Sequence, residues 1–194
     1  MREIAAQSLL PLEAYARERG AFRARVIEHK KVRSVPLGEH VTLLFEDELT
    51  IRYQVQEMLR IERIFEDDGI RGELEAYNPL LPDGGNWKAT MLIEYPDAEE
   101  RRIRLAELKG IQDRVWVQVA GHARVYAIAD EDLERENEQK TSSVHFLRFE
   151  LDTAMRAALK RGARLAMGIE HRAYAATLDP VPAAVRDSLA GDLA

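Results

Sequence analysis

From residue 88 onward the chain alternates short β-like runs with single helices, and the connections between them are too short for crossovers. A strand over 88–95 leads through Pro96 into a helix over 97–108. Strands over 114–119 and 124–128 follow, joined at the tight-turn candidate Gly121-His122. A strand over 143–151 directs Val144, Phe146 and Arg148 to one face and His145, Leu147 and Phe149 to the other. Asp152 or Thr153 then caps a helix that Gly162 ends, and a strand over 164–169 returns. Neighbours joined this closely pair antiparallel, and the helices must cover the sheet to bury both apolar surfaces. The expected fold is therefore α+β, a two-layer sandwich with a mainly antiparallel sheet covered by helices.

In the first half, Leu12, Tyr15, Phe22, Val26 and Ile27 recur at helical spacing over 11–33, with Pro11 in the first turn and Gly20 as a weak point. The rest of that helix is basic (Arg17, Arg19, Arg23, Arg25, Lys30, Lys31, Arg33), which makes either a solvated face or a contact surface for an acidic partner. Pro36-Leu37-Gly38 reads as a breaker before a strand over 41–45. A second helix runs over 50–65, capped by Asp47 or Thr50. After the interruption Asp67-Asp68-Gly69 a short helix covers 70–77, and 81–86 is a loop of the kind that borders sites. The charged run 130–140 reads as a solvated loop or an exposed helix turn and a poor place for a site. Past Tyr174, Pro180, Pro182 and many small residues suggest a weakly ordered tail, so residues 1–175 are expected to form one domain and 176–194 the tail.

The chemistry is bounded by what is missing. The chain has no cysteine, which removes disulfides, thiolate nucleophiles and every Cys-based metal site, and leaves His, Asp and Glu as ligands. No phosphate loop, dinucleotide fingerprint, zincin motif or nucleophile elbow occurs. With 34 acidic against 28 basic residues the net charge is −6, unfavourable for a phosphate backbone, so no nucleic-acid partner is expected. No run approaches the roughly 18 apolar residues of a membrane helix, and no secretory core follows Met1, so the expectation is a cytoplasmic protein without a membrane partner.

On a helical repeat Glu57 shares a stripe with Tyr53, Ile61 and Ile64, and Glu62 lies beside Val55, Met58, Leu59 and Phe65. Carboxylates among apolar neighbours need a cation, a metal or a hydrogen-bond network. Arg52, Arg60, Arg63 or a distant arginine would make the pairing structural; a pocket around Glu57 would make it functional. The five histidines form no HxH or HxxxH pair. His171, with Glu170 and Tyr174 close in sequence, is the preferred candidate. The catalytic candidates are Glu57, Tyr53 and His171, with Glu57 and His171 as ligands for iron, manganese or zinc and the Gly84-Gly85 loop as a lid. Trp116 reads as core, and Trp87 as the wall of a pocket or interface.

Phe22-Arg23-Ala24-Arg25-Val26-Ile27, Leu44-Phe45-Glu46, the run from Gln54 to Arg63, Tyr77-Asn78-Pro79-Leu80-Leu81-Pro82, Ala89-Thr90-Met91-Leu92-Ile93-Glu94 and the ending from Gly168 to Tyr174 together resemble a bacterial family, domain of unknown function 3501. The resemblance implies no activity, but it implies a context: such proteins are often encoded beside rubrerythrin-like proteins and iron–sulfur oxidoreductases. That context points to an accessory or binding protein for redox or peroxide defence, docking a redox partner through its basic helix. The alternatives are a metal-dependent or acid–base enzyme with the His/carboxylate pocket, and a structural homo-oligomer with the second helix at its interface.

Overall fold

A computed structural model describes residues 3–194 of the chain. Helix α1 (Leu12–Lys30) runs unbroken through Gly20 and buries Tyr15 and Val26. Strands β1 (Ser34–Leu37) and β2 (Val41–Phe45) form a hairpin around Gly38, whose φ of 75° favours glycine. Pro36, expected to break the chain, lies inside β1; the strand is the outermost of its sheet, where a missing N–H leaves no ladder bond unmade.

Helix α2 (Glu48–Ile61) opens with a capping box: the Asp47 carboxylate accepts from Thr50 N and the Thr50 hydroxyl from Asp47 N, both at 3.0 Å. It stops short of Phe65 because Arg63 adopts φ 54° and Ile64 N donates to Leu59 O at 2.9 Å, a Schellman closure. Helix α3 (Asp67–Tyr77) takes in the Asp67-Asp68-Gly69 segment expected to interrupt, and leads into a 3-10 turn, Asn78–Leu80. The chain continues through β3 (Asn86–Ile93), α4 (Ala98–Glu107) and β4 (Val115–Val119) to β5 (Val125–Tyr126) and β6 (Ile128–Ala129). It ends in β7 (Val144–Glu150), α5 (Thr153–Lys160), β8 (Leu165–His171), β9 (Tyr174–Leu178) and α6 (Ala183–Ala190).

The architecture is α+β with antiparallel pairing, as the short connections require. The strands divide into two sheets, ordered β1-β2-β3-β7-β6 and β5-β4-β8-β9. The single strand expected over 124–128 is the place where the chain changes sheets: β5 pairs with β4 and β6 with β7. Alternate residues of both sheets, among them Trp87, Met91, Leu147 and Phe149 from one and Val117 and Met167 from the other, meet in one core. A second cluster, centred on Ile51, Val55, Leu59 and Leu74, joins α2 and α3 to the N-terminal segment. The apolar stripe of α2 is thus used within the chain. No helix among the described residues is long and apolar enough to cross a membrane.

The segment 176–194, expected as a weakly ordered tail, is packed. Val181, Val185, Leu189 and Leu193 are all buried; Val185 and Leu189, four residues apart, form the inner stripe of α6, and Val181 and Leu193 flank the helix on either side. Trp87, core rather than pocket wall, donates its indole N–H to Leu189 O at 2.9 Å. Arg33, buried at 1% exposure, binds Asp192 at 2.6 and 3.1 Å. Burial raises the Asp192 carboxyl above its usual range, against the pull of Arg33.

Candidate functional site

Glu57 faces α1, where its carboxylate accepts the Tyr15 hydroxyl at 2.7 Å and both arms of Arg19 at 2.7 and 2.8 Å. Hydrogen bonds from Arg19, then from Tyr15 and Arg60, overcome burial and hold its pKa down to about 2. The expected raised-pKa base is therefore a firmly ionised clamp between α1 and α2. Glu62 is exposed, because α2 has ended before it. Tyr53 packs edge-on against Phe22, with ring centres 5.8 Å apart.

His171 serves elsewhere. Its Nδ1 accepts from Ala173 N at 3.2 Å, so Nε2 carries the proton that reaches Lys109 O at 3.0 Å. Glu170 pairs with Arg124 and accepts the Tyr126 hydroxyl, and Tyr174 donates to Leu37 O at 2.6 Å. Glu57, Tyr53 and His171 share no hydrogen-bond partner, and among the described residues no three His, Asp or Glu side chains gather to hold a metal. The Gly84-Gly85 loop is tied to the chain's end, with Gly84 O accepting from Ala194 N at 2.8 Å and from Arg156 at 3.1 Å. Two of the cations assigned to the basic face of α1 are likewise engaged, Arg19 with Glu57 and Arg33 with Asp192.

A different constellation forms on the outer face of the five-stranded sheet. Glu46, just after β2, is 1% exposed. Its carboxylate accepts from the Thr50 hydroxyl at 2.5 Å, the Thr90 hydroxyl at 2.7 Å and the Gln54 amide at 3.3 Å. All three donors are neutral, and among the described residues no cation is paired with it. A cavity of about 420 Å³ adjoins it, walled by Pro79, Leu80 and Phe146, with Lys88, Glu131, Asp132 and Arg148 also on its lining. A depression of about 890 Å³ between residues 3–7 and α3 is larger, but no buried charge lines it.

Lys88 and Arg148 face each other across β3 and β7. Arg148 grips Glu131 with two bonds of 2.8 Å and also binds Glu150, while Asp132 pairs with Arg135 at 2.5 and 2.7 Å. Lys88 has no ion-pair or hydrogen-bond partner among the described residues. Burial lowers its ammonium pKa, and the Arg148 cation lowers it further.

The 130–140 segment, expected to be a solvated loop or an exposed helix turn, is a largely exposed loop whose first residue, Asp130, is anchored to β7. Fully buried His145 holds the Asp130 carboxylate at 2.6 Å, and Asp130 also accepts from Phe146 N at 3.0 Å. That anchor is what places Glu131 and Asp132 on the cavity wall. Sequence reasoning passed over Glu46 and Lys88; the signal available was the polar i, i+4, i+8 series Glu46, Thr50 and Gln54, which leads onto one face of α2.

Comparison with known proteins finds no match among curated ones. A crystal structure from Burkholderia pseudomallei K96243, described as a novel protein of unknown function, is 56% identical over the full length of both chains, with a TM-score of 0.95. Glu46, Pro79 and Leu80, which line the cavity, and Gln54 and Thr90, which bind Glu46, lie in the segments on which the resemblance drawn from the sequence rests. The model of that family matches residues 3–193, and the chain belongs to it: the family described as protein of unknown function DUF3501.

Proposed function

We propose that the chain is a cytosolic, non-catalytic binding protein that holds a small organic ligand in the cavity beside Glu46, and that it serves a redox or peroxide-defence system as an accessory. The observation that carries the binding role is Glu46 itself. A carboxylate withdrawn from water among neutral donors is costly until a cation joins it. Here the space beside the carboxylate is an already formed, largely apolar cavity in the size range of ligand sites. The acid–base alternative has less support, since Arg19 holds Glu57 ionised and His171 is bound at both nitrogens.

The accessory role is supported by the gene context that the family resemblance implies, and by the outer face of α1. There Arg23 and Arg25 are exposed and without carboxylate partners among the described residues, a surface suited to an acidic redox partner.

The test is a thermal-shift panel of amino acids, amines and organic acids on the whole chain and on Leu80→Trp, which fills the cavity from a half-buried wall position. At least one compound is expected to raise the wild-type Tm, by an amount worth about 2.7 kcal/mol at a hundredfold excess over Kd, and to leave the variant unmoved. A panel that shifts neither protein, or both equally, overturns the cavity reading. A redox protein that co-purifies with the wild type and is lost on changing Arg23 and Arg25 to Glu supports docking through α1; co-purification that survives the change refutes it.

A further inference from the structure

The geometry points to a zwitterion of the α-amino-acid type with an apolar side chain as the ligand of this cavity: its ammonium meets Glu46 and its carboxylate meets Lys88. The inference rests on the cavity reading above and adds the chemical class.

Charge matching across the cavity lining carries it. Arg148 is taken up by Glu131 and Glu150, and Asp132 by Arg135. What remains on the lining, among the described residues, is one anion without a cation, Glu46, and one cation without an anion, Lys88, and the two do not pair with each other. Both are withdrawn from water, Glu46 almost completely and Lys88 in part, as its intermediate exposure on β3 indicates. A simple amine would satisfy Glu46 and leave Lys88 alone; a simple carboxylate would do the reverse. One neutral zwitterion satisfies both.

Hydrogen-bonding capacity agrees. A carboxylate offers about four acceptor sites. Two donors sit on Glu46 Oε1 and one on Oε2, which leaves room on Oε2 for an N–H from the ligand. Lys88 keeps its three N–H donors free for a carboxylate.

Placement agrees as well. Thr90, which holds Glu46, and Lys88 are two residues apart on β3 and project from the same face, so the carboxylate and the ammonium lie on one side of the sheet. An α-amino acid carries its ammonium and carboxylate on one carbon and can present both to that side at once. Pro79, Leu80 and Phe146 are left to receive the apolar side chain.

The experiment is isothermal titration calorimetry of the full chain with L-leucine, L-methionine and L-phenylalanine. Isopentylamine and 4-methylpentanoate, which are leucine without its carboxylate and without its amine, serve as controls. At least one of the three amino acids is expected to bind, and either control at least tenfold more weakly than leucine. Glu46→Gln and Lys88→Met are each expected to weaken amino-acid binding at least tenfold, and Lys88→Arg to restore much of it, with melting curves showing that each variant is folded. An amine that binds as tightly as leucine overturns the proposal in favour of a cationic ligand; a carboxylate that does so overturns it in favour of an anionic one. If no amino acid binds while another compound of the panel shifts the wild type and not Leu80→Trp, the class is wrong and the cavity stands. Silence throughout both assays removes the cavity reading itself.

Discussion

The Arg19–Glu57–Tyr15 clamp ties two helices together through one carboxylate, and its energetics are set by protonation. Glu57 has a folded pKa of about 2 against an ordinary 4.5. A depressed acid stabilises the fold above the unfolded pKa and loses that contribution as pH falls through the folded one. The clamp should therefore weaken between about pH 4.5 and 2. Because Arg19 is about one-third exposed, solvent screening limits the effect to roughly 1–2 kcal/mol. Glu57→Gln is expected to lower stability by about that amount at pH 7 and by almost nothing near pH 2, in urea melts across the range. A deficit that stays constant with pH would show that the clamp acts through shape alone. The sequence made it legible that Glu57 needs a cation, but only Arg60 of the local arginines reaches it, and the main partner comes from α1 through tertiary packing. Glu46 and Lys88 were harder to see. One sits between a strand and a helix cap and the other on a strand, and each looks like an ordinary surface charge until α2, β3 and β7 come together.

At the scale of elements, the C-terminus of α2 holds a conformational cost. Arg63 stands where the Schellman closure calls for a left-handed residue, with φ 54°, and an L side chain there costs about 1–2 kcal/mol relative to glycine. Arg63→Gly should regain about 0.5–1 kcal/mol, the gain being reduced by the greater freedom of glycine in the unfolded chain. The check is a higher urea midpoint with an unchanged m-value; a lower midpoint would assign the arginine side chain a stabilising role of its own. Elements with strong local chemistry were readable in advance: β2 from its apolar run, α2 from the Asp47 and Thr50 pair, and α5 from its Asp152 cap. Those that depend on position in the fold were not. Proline is acceptable in β1 only because that strand is an edge, and residues 125–129 divide between β5 and β6 only because two sheets compete for them. The helix α6 was masked by Pro180 and Pro182, the second of which stands at its N-cap and leads into it rather than preventing it.

For the molecule as a whole, the decisive question is what the last residues contribute. Val181, Val185, Leu189 and Leu193 close the core between the sheets, and each buried aliphatic side chain is worth about 1.5–3 kcal/mol. Together they are comparable with the roughly 5–15 kcal/mol by which a folded domain exceeds its unfolded state. Polar losses add to this. Without α6 and the residues that follow it, buried Arg33 loses Asp192 and the Trp87 indole loses its acceptor, and breaking a buried ion pair from one side costs about 3–5 kcal/mol. A chain ending at residue 178 is therefore expected to lack a cooperative thermal transition and the near-ultraviolet dichroism of a packed Trp87, whereas the full chain shows both. Leu189→Ala, which opens a cavity but keeps the ion pair, should fold and lose about 2–4 kcal/mol. If the shortened chain instead melts cooperatively at the temperature of the full one, the C-terminal segment is a covering laid over a finished core. If it fails while Leu189→Ala survives weakened, the two sheets are joined through α6, and the cavity on the outer face of the larger sheet depends on that closure for its shape.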